Sequence, residues 1–181
     1  VTDPTYSGHR AYSTYDGANA QPAGGDWYEL AFDRPMRFES LVLHEGELSL
    51  YSPNSFPDDP AEPPQGGWFE DLTVEVAGDD GWVAVDNLVL SEPLDDLAFY
   101  QAITLSFDAV VGEAIRIRGT AGGTREFTTV MELEAFGTLC GDADADGDVD
   151  DADLSLLLSC YGAGAGAGWG QGDFDADGDV D

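Results

Sequence analysis

Polar and apolar residues alternate along most of the chain before residue 140, and this alternation predicts a series of short β-strands. Leu72, Val74 and Val76 alternate with polar residues between Phe69 and Ala77, which is the period of a strand with one buried face. Similar alternation or a short apolar run marks the segments 27–32, 38–45, 82–85, 100–107, 113–118 and 128–136. About eight short strands separated by turn residues predict a mostly β protein built as an antiparallel β-sandwich.

Two stretches lack the alternation and predict loops. Residues 1–26 are rich in Gly, Pro, Ser and Tyr, and residues 51–67 contain five prolines, which cannot donate to a strand ladder. No helical period of useful length occurs before Ala152. A short helix is predicted after it, because Leu154 and the leucines at 156–158 form an apolar face.

The stretch from Cys140 to Tyr161 carries the most specific chemical pattern. Acidic residues occupy positions 1, 3, 5, 9 and 12 of a twelve-residue loop, and Gly147 stands at position 6. A hard cation such as calcium needs six to eight oxygen ligands, and the glycine allows the sharp turn that aims alternate side chains inward. Val149, at position 8, is expected to point into the core. The predicted calcium ligands are Asp142, Asp144, Asp146, Asp150, Asp153 and the backbone carbonyl of Asp148.

A second acidic stretch repeats the first one, beginning 31 residues after Asp142. Its candidate metal-binding residues are Asp173, Asp175, Asp177, Asp179 and Asp181. The sequence ends at position 9 of this loop, before a closing acid, so we expect the half-loop alone to bind calcium weakly. Two arrangements remain open: the half-loop pairs with the first loop of its own chain, or it meets another copy through bridging cations.

The two acidic loops resemble dockerin repeats. The dockerin pattern is D-x-[ND]-x-D-G-x-[VI]-x-x-x-D followed by a leucine-rich helix, and it closes with Asp, as Asp153 does here, where an EF-hand closes with Glu. The resemblance implies a dockerin-like segment over residues 140–181 whose second repeat is truncated. It further implies docking onto a cohesin-like partner protein.

Three earlier stretches, in the same order, resemble the F5/8 type C (discoidin-like) family. They are the opening DWYELAFDRPMRFESLVLHEG, the hairpin GWFEDLTVEVAGDDGWVAV and the ending EAIRIRGTAGGTREFTTVMELEAFG. The match runs from about Tyr12 to Gly137. It implies that residues 1–139 form a jelly-roll β-sandwich of the galactose-binding type, a fold found in carbohydrate-binding modules and adhesion proteins.

The discoidin-like resemblance also implies a structural calcium where an early loop meets the last strand. Asp16 and Glu132 match that pattern, whereas Ala18 and Gln21 replace two expected ligands. The alternative is an acidic turn that lies beside an acidic strand edge without a metal.

The same resemblance places a sugar site on the loops at one end of the sandwich. Such a site needs an aromatic face for the C–H surface of a sugar and forked donors for its hydroxyls. Trp68 is the preferred platform, while Trp27 and Trp82 lie within strands and are expected in the core. His44 is expected to be structural, and Arg116 and Arg118 to pair with acids. The loop candidates are His9, Arg10, Tyr51, Phe56, Trp68, Phe69, Tyr100 and Arg125.

Charge narrows the possible partners. The 181 residues include 37 acids and 6 basic residues, all arginine, which gives a net charge of −31. Nucleic acid and anionic lipid are therefore not expected as partners, because no basic stripe exists to meet phosphates. The sequence contains no apolar run of about 18 residues, so membrane insertion is not expected.

Cys140 and Cys160 lie beside a calcium loop, which favours an oxidising exterior. Whether they bond to each other stays open.

Catalytic signatures are lacking, so an enzyme is not expected. The sequence contains no G-x-S-x-G, no H-E-x-x-H, no P-loop and no dinucleotide fingerprint. The first hypothesis is a secreted, non-catalytic calcium-binding module that binds carbohydrate and carries a dockerin-like docking segment. The alternative is a structural subunit of a calcium-dependent extracellular assembly, such as a filament or surface layer, formed from copies of the chain.

Overall fold

Antiparallel strands dominate the protein up to Leu139, and one helix follows them. The computed structural model describes residues 5–6, 9–10, 12–14, 25–46, 65–78, 81–94, 100–164, 166–174 and 178–180. The strands are β1 (Thr5–Tyr6), β2 (His9–Arg10), β3 (Tyr12–Ser13), β4 (Asp26–Glu45), β5 (Phe69–Gly78), β6 (Gly81–Ala84), β7 (Val89–Leu90), β8 (Ala102–Ala121) and β9 (Thr129–Leu139). Helix α1 spans Asp151–Cys160, and a 3₁₀ helix spans Trp169–Gln171.

Most of the described strands belong to one antiparallel sheet. Its order is β3-β9-β4-β8-β5-β6, and β7 also pairs with β8. β1 pairs with β2 separately, so the stretch 1–26, which was predicted to be a loop, contains three very short strands. The prediction of a mostly β, antiparallel protein is confirmed.

β4 and β8 are longer than the sequence pattern suggested. The strands predicted over 27–32 and 38–45 are joined within β4, which runs through residues 33–35, and its pairing register with β8 shifts between Ala31 and Met36. The irregularity accommodates Pro35, because a proline has no N–H to give to the ladder. The two predicted strands 100–107 and 113–118 are likewise joined within β8.

The register shifts divide the sheet into two layers that share one core. The first half of β4 pairs with the second half of β8, which also pairs with β5. The second half of β4 pairs with the first half of β8 and with β9. Fully buried side chains from both layers form one cluster, so the sheet folds over itself as a β-sandwich. The cluster comprises Phe38, Leu41, Leu43, Phe69, Val74, Val76, Ile103, Leu105, Ile115, Ile117 and Val130.

The last strand delivers the chain directly into the acidic segment. Leu139, the final residue of β9, pairs with Met36 of β4. The Cys140 N–H then donates to the Pro35 carbonyl at 3.2 Å, and the Asp142 N–H donates to the Leu139 carbonyl at 3.1 Å. The start of the acidic loop is therefore held against the irregular segment of β4.

Candidate metal centre

The first acidic loop folds around its own carboxylates. The Gly147 N–H donates to Asp142 Oδ2 at 3.1 Å, across five residues of chain. Gly147 has φ of 99°, a left-handed conformation that favours glycine. The glycine therefore makes the sharp turn that the sequence pattern predicted.

Three carboxylates converge at the beginning of this loop. Oxygens of Asp142, Asp144 and Asp146 lie within 4.8 Å of one another. Asp142 is 3% exposed, and its Oδ1 atom has no hydrogen-bond partner. An ionised carboxylate oxygen that is buried without a donor is costly unless a cation or other donor meets it. These three residues can hold a metal ion.

Asp153 closes the loop from the first turn of helix α1. Its Oδ1 accepts from the N–H groups of Ala143 at 2.7 Å and Asp144 at 3.2 Å, while its Oδ2 accepts from the Asp150 N–H at 2.7 Å. Asp150 caps the helix, because its Oδ1 accepts from the Ala152 N–H at 2.6 Å. The closing acid thus joins the helix to the start of the loop, and Asp148, Asp150 and Asp153 form a second group of acids.

The crowding of acids shifts individual pKa values in opposite directions. The pKa of Asp144 is raised, first by desolvation within the loop and then by the negative charge of neighbouring carboxylates such as Asp146. The pKa of Asp148 is also raised, first by Asp146 and then by Asp150. In contrast, the pKa of Asp153 is lowered, mainly by the hydrogen bond from the Asp150 N–H. The loop therefore holds one stabilised carboxylate beside others that would gain from a positive neighbour.

The second acidic stretch repeats the arrangement of the first where it is described. The Gly178 N–H donates to Asp173 Oδ2 at 3.1 Å, and Gly178 has φ of 95°. Asp173 is 5% exposed and, like Asp142, its Oδ1 has no hydrogen-bond partner. Asp179 is exposed. The remaining predicted ligands, Asp175, Asp177 and Asp181, lie outside the described residues.

The second stretch is hydrogen-bonded to the segment that follows helix α1 in its own chain. The Gly162 N–H donates to the Val180 carbonyl at 2.7 Å, and the Gly166 N–H donates to the Gly178 carbonyl at 2.9 Å. Val180 is 2% exposed, whereas Val149, its counterpart in the first loop, is 47% exposed. The expectation that Val149 points into the core is wrong, because only the second of the two valines is covered.

Trp169 connects the second segment to the first loop and to the sandwich. Its indole Nε1–H donates to the Asp142 carbonyl at 2.8 Å. Its ring makes an edge contact with Phe174, with centroids 5.1 Å apart, and lies 5.2 Å from the Arg37 guanidinium carbon of β4. The sequence offered no local signal for this contact, since Trp169 is 27 residues from Asp142.

The metal site predicted between Asp16 and Glu132 is only partly described. Asp16 lies outside the described residues, and Glu132 is exposed on β9. Oxygens of Glu132 and Glu134 lie within 4.8 Å of each other and of a His44 ring nitrogen. His44 Nε2 is 2.6 Å from Glu134 Oε1, so this histidine has a carboxylate partner on β9.

Burial rules out two of the predicted sugar-binding side chains as exposed platforms. Trp68 is 6% exposed and Phe69 is 1% exposed. Trp68 is covered because Gly122 leaves room for its ring: a Cβ added at Gly122 would lie 2.2 Å from the indole nitrogen. Tyr100 is 43% exposed, and Arg125 is half-buried in a turn.

The remaining sugar-site predictions lie at the margin of the described residues. His9 and Arg10 form the short strand β2. Tyr51 and Phe56 lie outside the described residues. The sugar site predicted on the loops therefore stays a prediction.

Trp27 and Trp82 were both expected in the core, and for Trp27 this expectation is wrong. Trp27 is 52% exposed, and Trp82 is half-buried. Arg116 pairs with Glu75, with its NH2 2.6 Å from Glu75 Oε2, and Arg118 NH1 lies 3.7 Å from Glu75 Oε1. The expected pairing of both arginines with an acid is therefore present.

The two cysteines are both half-buried and are not bonded to each other. Burial raises the pKa of the Cys140 thiol, while the nearby Arg37 charge lowers it to a smaller extent. Among the helices that the structure describes, none combines the length and the apolar composition needed to span a membrane.

Comparison with known proteins identifies a structural neighbour but no sequence family. No family model matches the chain, and no curated protein matches it. A similar solved structure comes from work on the multiple functions of the Streptococcus pneumoniae beta-galactosidase BgaA, with a TM-score of 0.50 and 14% identity. The similarity covers 70% of this chain and 74% of that chain. The likeness is one of fold.

Proposed function

We propose that this protein is a non-catalytic extracellular module in which a carbohydrate-binding β-sandwich carries a calcium-dependent docking segment. The observation that carries the calcium part is the buried Asp142 carboxylate, whose Oδ1 has no donor and which belongs to a group of three carboxylates with oxygens within 4.8 Å of one another. The equivalent Asp173 Oδ1 in the second stretch supports it independently. A glycine turn of the same kind positions each oxygen, as expected for two copies of one metal-binding loop.

Calcium is the cation that best fits the donor set. The ligand candidates in the first loop are carboxylates and one backbone carbonyl, with no sulfur or imidazole among them. Hard oxygen donors suit calcium and magnesium, and a flexible carboxylate-rich loop favours calcium over the small octahedral magnesium ion. When bound, the ion would supply positive charge that relieves the repulsion among Asp142, Asp144 and Asp146.

Exposed apolar side chains on and beside helix α1 support a docking role. Leu154, Leu158 and Tyr161 are 50%, 65% and 66% exposed. Their spacing of four and then three residues places them on one side of the helix. We infer that this side, ordered by calcium, is covered by a cohesin-like partner protein or by another copy of the chain, in keeping with the dockerin-like pattern.

Carbohydrate binding is the proposed role of residues 1–139. The discoidin-like stretches and the β-sandwich fold favour a jelly-roll module of this class. The structural similarity to a chain from a beta-galactosidase study agrees with such a module. The alternative, a building block of a calcium-dependent extracellular assembly, requires that copies of the chain associate with one another when calcium is added.

Calorimetric titration of calcium into the full chain tests the metal site. Wild-type protein is compared with Asp142→Asn, with the double variant Asp142→Ala/Asp153→Ala, and with Asp151→Asn. Asp151 is an exposed acid of the same helix turn and occupies no ligand position, so its variant is a matched control for charge. We expect Asp142→Asn to weaken binding more than about tenfold and Asp151→Asn to change it less than about twofold.

The same samples distinguish docking from self-assembly. Unchanged calcium affinity in the double variant would contradict the assignment of the first loop as a calcium-binding site. Sedimentation of the wild type with and without calcium then separates the two uses of the exposed helix side. A monomer under both conditions supports docking to another protein, whereas calcium-dependent association favours the assembly alternative.

A further inference from the structure

An outward face of the sandwich carries two tryptophans on either side of one arginine. Trp27 of β4 is paired with Arg118 of β8, and Arg116 of β8 is paired with Glu75 of β5. Directly paired residues of neighbouring strands share a face of the sheet. The Arg116 guanidinium carbon lies 4.0 Å from the centre of the Trp82 ring and 6.0 Å from that of Trp27.

The arginine between the indoles is held in place by an acid. Arg116 Nε and NH2 both lie 2.6 Å from Glu75 Oε2, and the two side chains are only 14% and 13% exposed. A forked guanidinium that is paired and stacked has little freedom left. Trp27, in contrast, keeps 52% of its surface exposed. The result is a fixed platform with an open aromatic face.

A shallow polar depression adjoins this platform. It has a volume of about 220 Å³, and its lining includes Asp71, Thr73, Glu75 and Arg118. Asp71 Oδ1 already accepts from the Thr120 N–H at 3.1 Å, so the acid is held in a fixed orientation. A hydroxyl, two carboxylates and a guanidinium together provide both donors and acceptors, which is what ligand hydroxyl groups require.

Charge on this face favours a neutral ligand. Arg116 and Arg118 face three acids here, namely Glu75, Asp71 and Glu29, which is paired with Arg116, and the chain as a whole carries a net charge of −31. An anionic ligand would meet no surplus of positive charge here, and the surrounding acidic protein would repel it. A sugar ring combines an apolar C–H surface, which stacks on an indole, with hydroxyls for the polar groups beside it.

We propose that the sheet face formed by Trp27, Trp82, Arg116 and the adjoining depression is the binding site for a neutral oligosaccharide. The proposal rests on the carbohydrate-binding part of the proposed function and moves the site from the loops to the sheet. Because the indoles flank the arginine on an open surface, the face accommodates a chain of sugar rings more readily than a single one. Affinity is therefore expected to rise with oligosaccharide length.

Affinity electrophoresis of the full chain, with calcium present, tests this assignment. The gels contain xyloglucan, galactomannan, mixed-linkage β-glucan or arabinogalactan as neutral probes, and polygalacturonate as an anionic contrast. The variants are Trp27→Ala, Thr73→Val and Tyr100→Ala, each checked for an unchanged circular dichroism spectrum. Tyr100 is an exposed aromatic residue off the sheet face, so Tyr100→Ala tests the loop location and serves as the control.

We expect at least one neutral polysaccharide to retard the wild type, and Trp27→Ala to weaken this binding at least about tenfold. Thr73→Val, which removes one hydroxyl, should weaken it by a smaller factor, and Tyr100→Ala should leave it unchanged. Binding that survives Trp27→Ala overturns the sheet-face site while leaving carbohydrate binding in place. If none of the neutral polysaccharides retards the wild type, both the site and the carbohydrate part of the proposed function are overturned. The calcium titration tests the acidic loops independently of this result.

Discussion

Two buried aspartates, one in the sandwich and one in the acidic loop, are satisfied in different ways. Asp26 and Asp142 are each 3% exposed. The Thr14 and Thr128 hydroxyls donate to Asp26 Oδ2, the latter at 3.1 Å. Asp142 receives one N–H from Gly147 on Oδ2 and no donor on Oδ1. The sandwich therefore meets its buried aspartate with neutral donors, whereas the loop leaves one buried oxygen of Asp142 without a donor.

The two aspartates differ in how far their surroundings depend on the solution. Around Asp26, the Tyr28 hydroxyl donates to the Thr128 carbonyl at 3.2 Å, and burial raises the pKa of this tyrosine, so it stays neutral. The donors there belong to the protein and are present under all conditions. Around Asp142, oxygens of Asp144 and Asp146 lie within 4.8 Å, so on the proposed function the stability of the loop follows the supply of cations.

The largest expected effect is that calcium removal disorders the loop segment without unfolding the sandwich. In calcium-free protein, amide exchange in residues 142–153 should accelerate at least about a hundredfold, while β4 and β8 stay protected, because only the loop acids repel each other without the ion. Hydrogen-exchange mass spectrometry measures both regions in one sample.

A chain shortened to residues 1–139 provides the complementary measurement. The sandwich has its own core, so this chain should show a cooperative thermal transition. An unfolded 1–139 chain, or equal loss of protection in β4 and β8 without calcium, would mean that the two regions share their stability, and the contrast would fail.

An intermediate effect is expected when the two buried aspartates lose their charge. Asp26→Asn should destabilise the sandwich by about 1–3 kcal/mol, with or without calcium, because hydrogen bonds to a charged acceptor are replaced by weaker ones. Asp142→Asn should not lower calcium-free stability, because it removes an unpaired buried charge among acids that repel each other, and it should remove much of the gain that calcium gives. Denaturant unfolding of both variants with and without calcium is the measurement. A calcium-dependent cost at Asp26 would contradict the contrast.

The sequence predicted strands well but predicted their continuity and their exposed face poorly. Alternation identified the strand over 27–32, yet the register shift that carries β4 past Pro35 depends on β8, which is distant in sequence. Both alternating sets in this strand contain apolar residues. Tyr28, Leu30 and Phe32 pack against the core. Glu29, which shares the other face with Trp27, was the signal that this tryptophan would be exposed.

The candidate metal site was predictable to the extent that its contacts are local. Spacing of acids around Gly147 predicted which carboxylates converge, because the turn sets them within one short loop. The contact from Trp169 to the Asp142 carbonyl and the burial of Val180 rather than Val149 arise from packing between segments. Tertiary packing of this kind leaves no periodic signal in the chain.

The smallest expected effect is a pH dependence whose sign changes with calcium. The raised pKa values of Asp144 and Asp148 mean that these groups take up protons at a pH above the usual aspartate range. Without calcium, protonation relieves their repulsion, so acidification from neutral pH should first stabilise the loop. The lowered pKa of Asp153 reverses this only at lower pH, because its hydrogen-bonded carboxylate stabilises the loop until the pH falls through that lowered value.

With calcium, the same protons compete with the ion, so acidification should weaken binding and loosen the loop from the start. NMR of the Ala143 and Asp144 amides, which donate to Asp153, follows both cases in dialysed, calcium-free protein and in calcium-loaded protein. The same direction of change in both samples would show that the loop acids are stabilised by the protein alone, as Asp26 is.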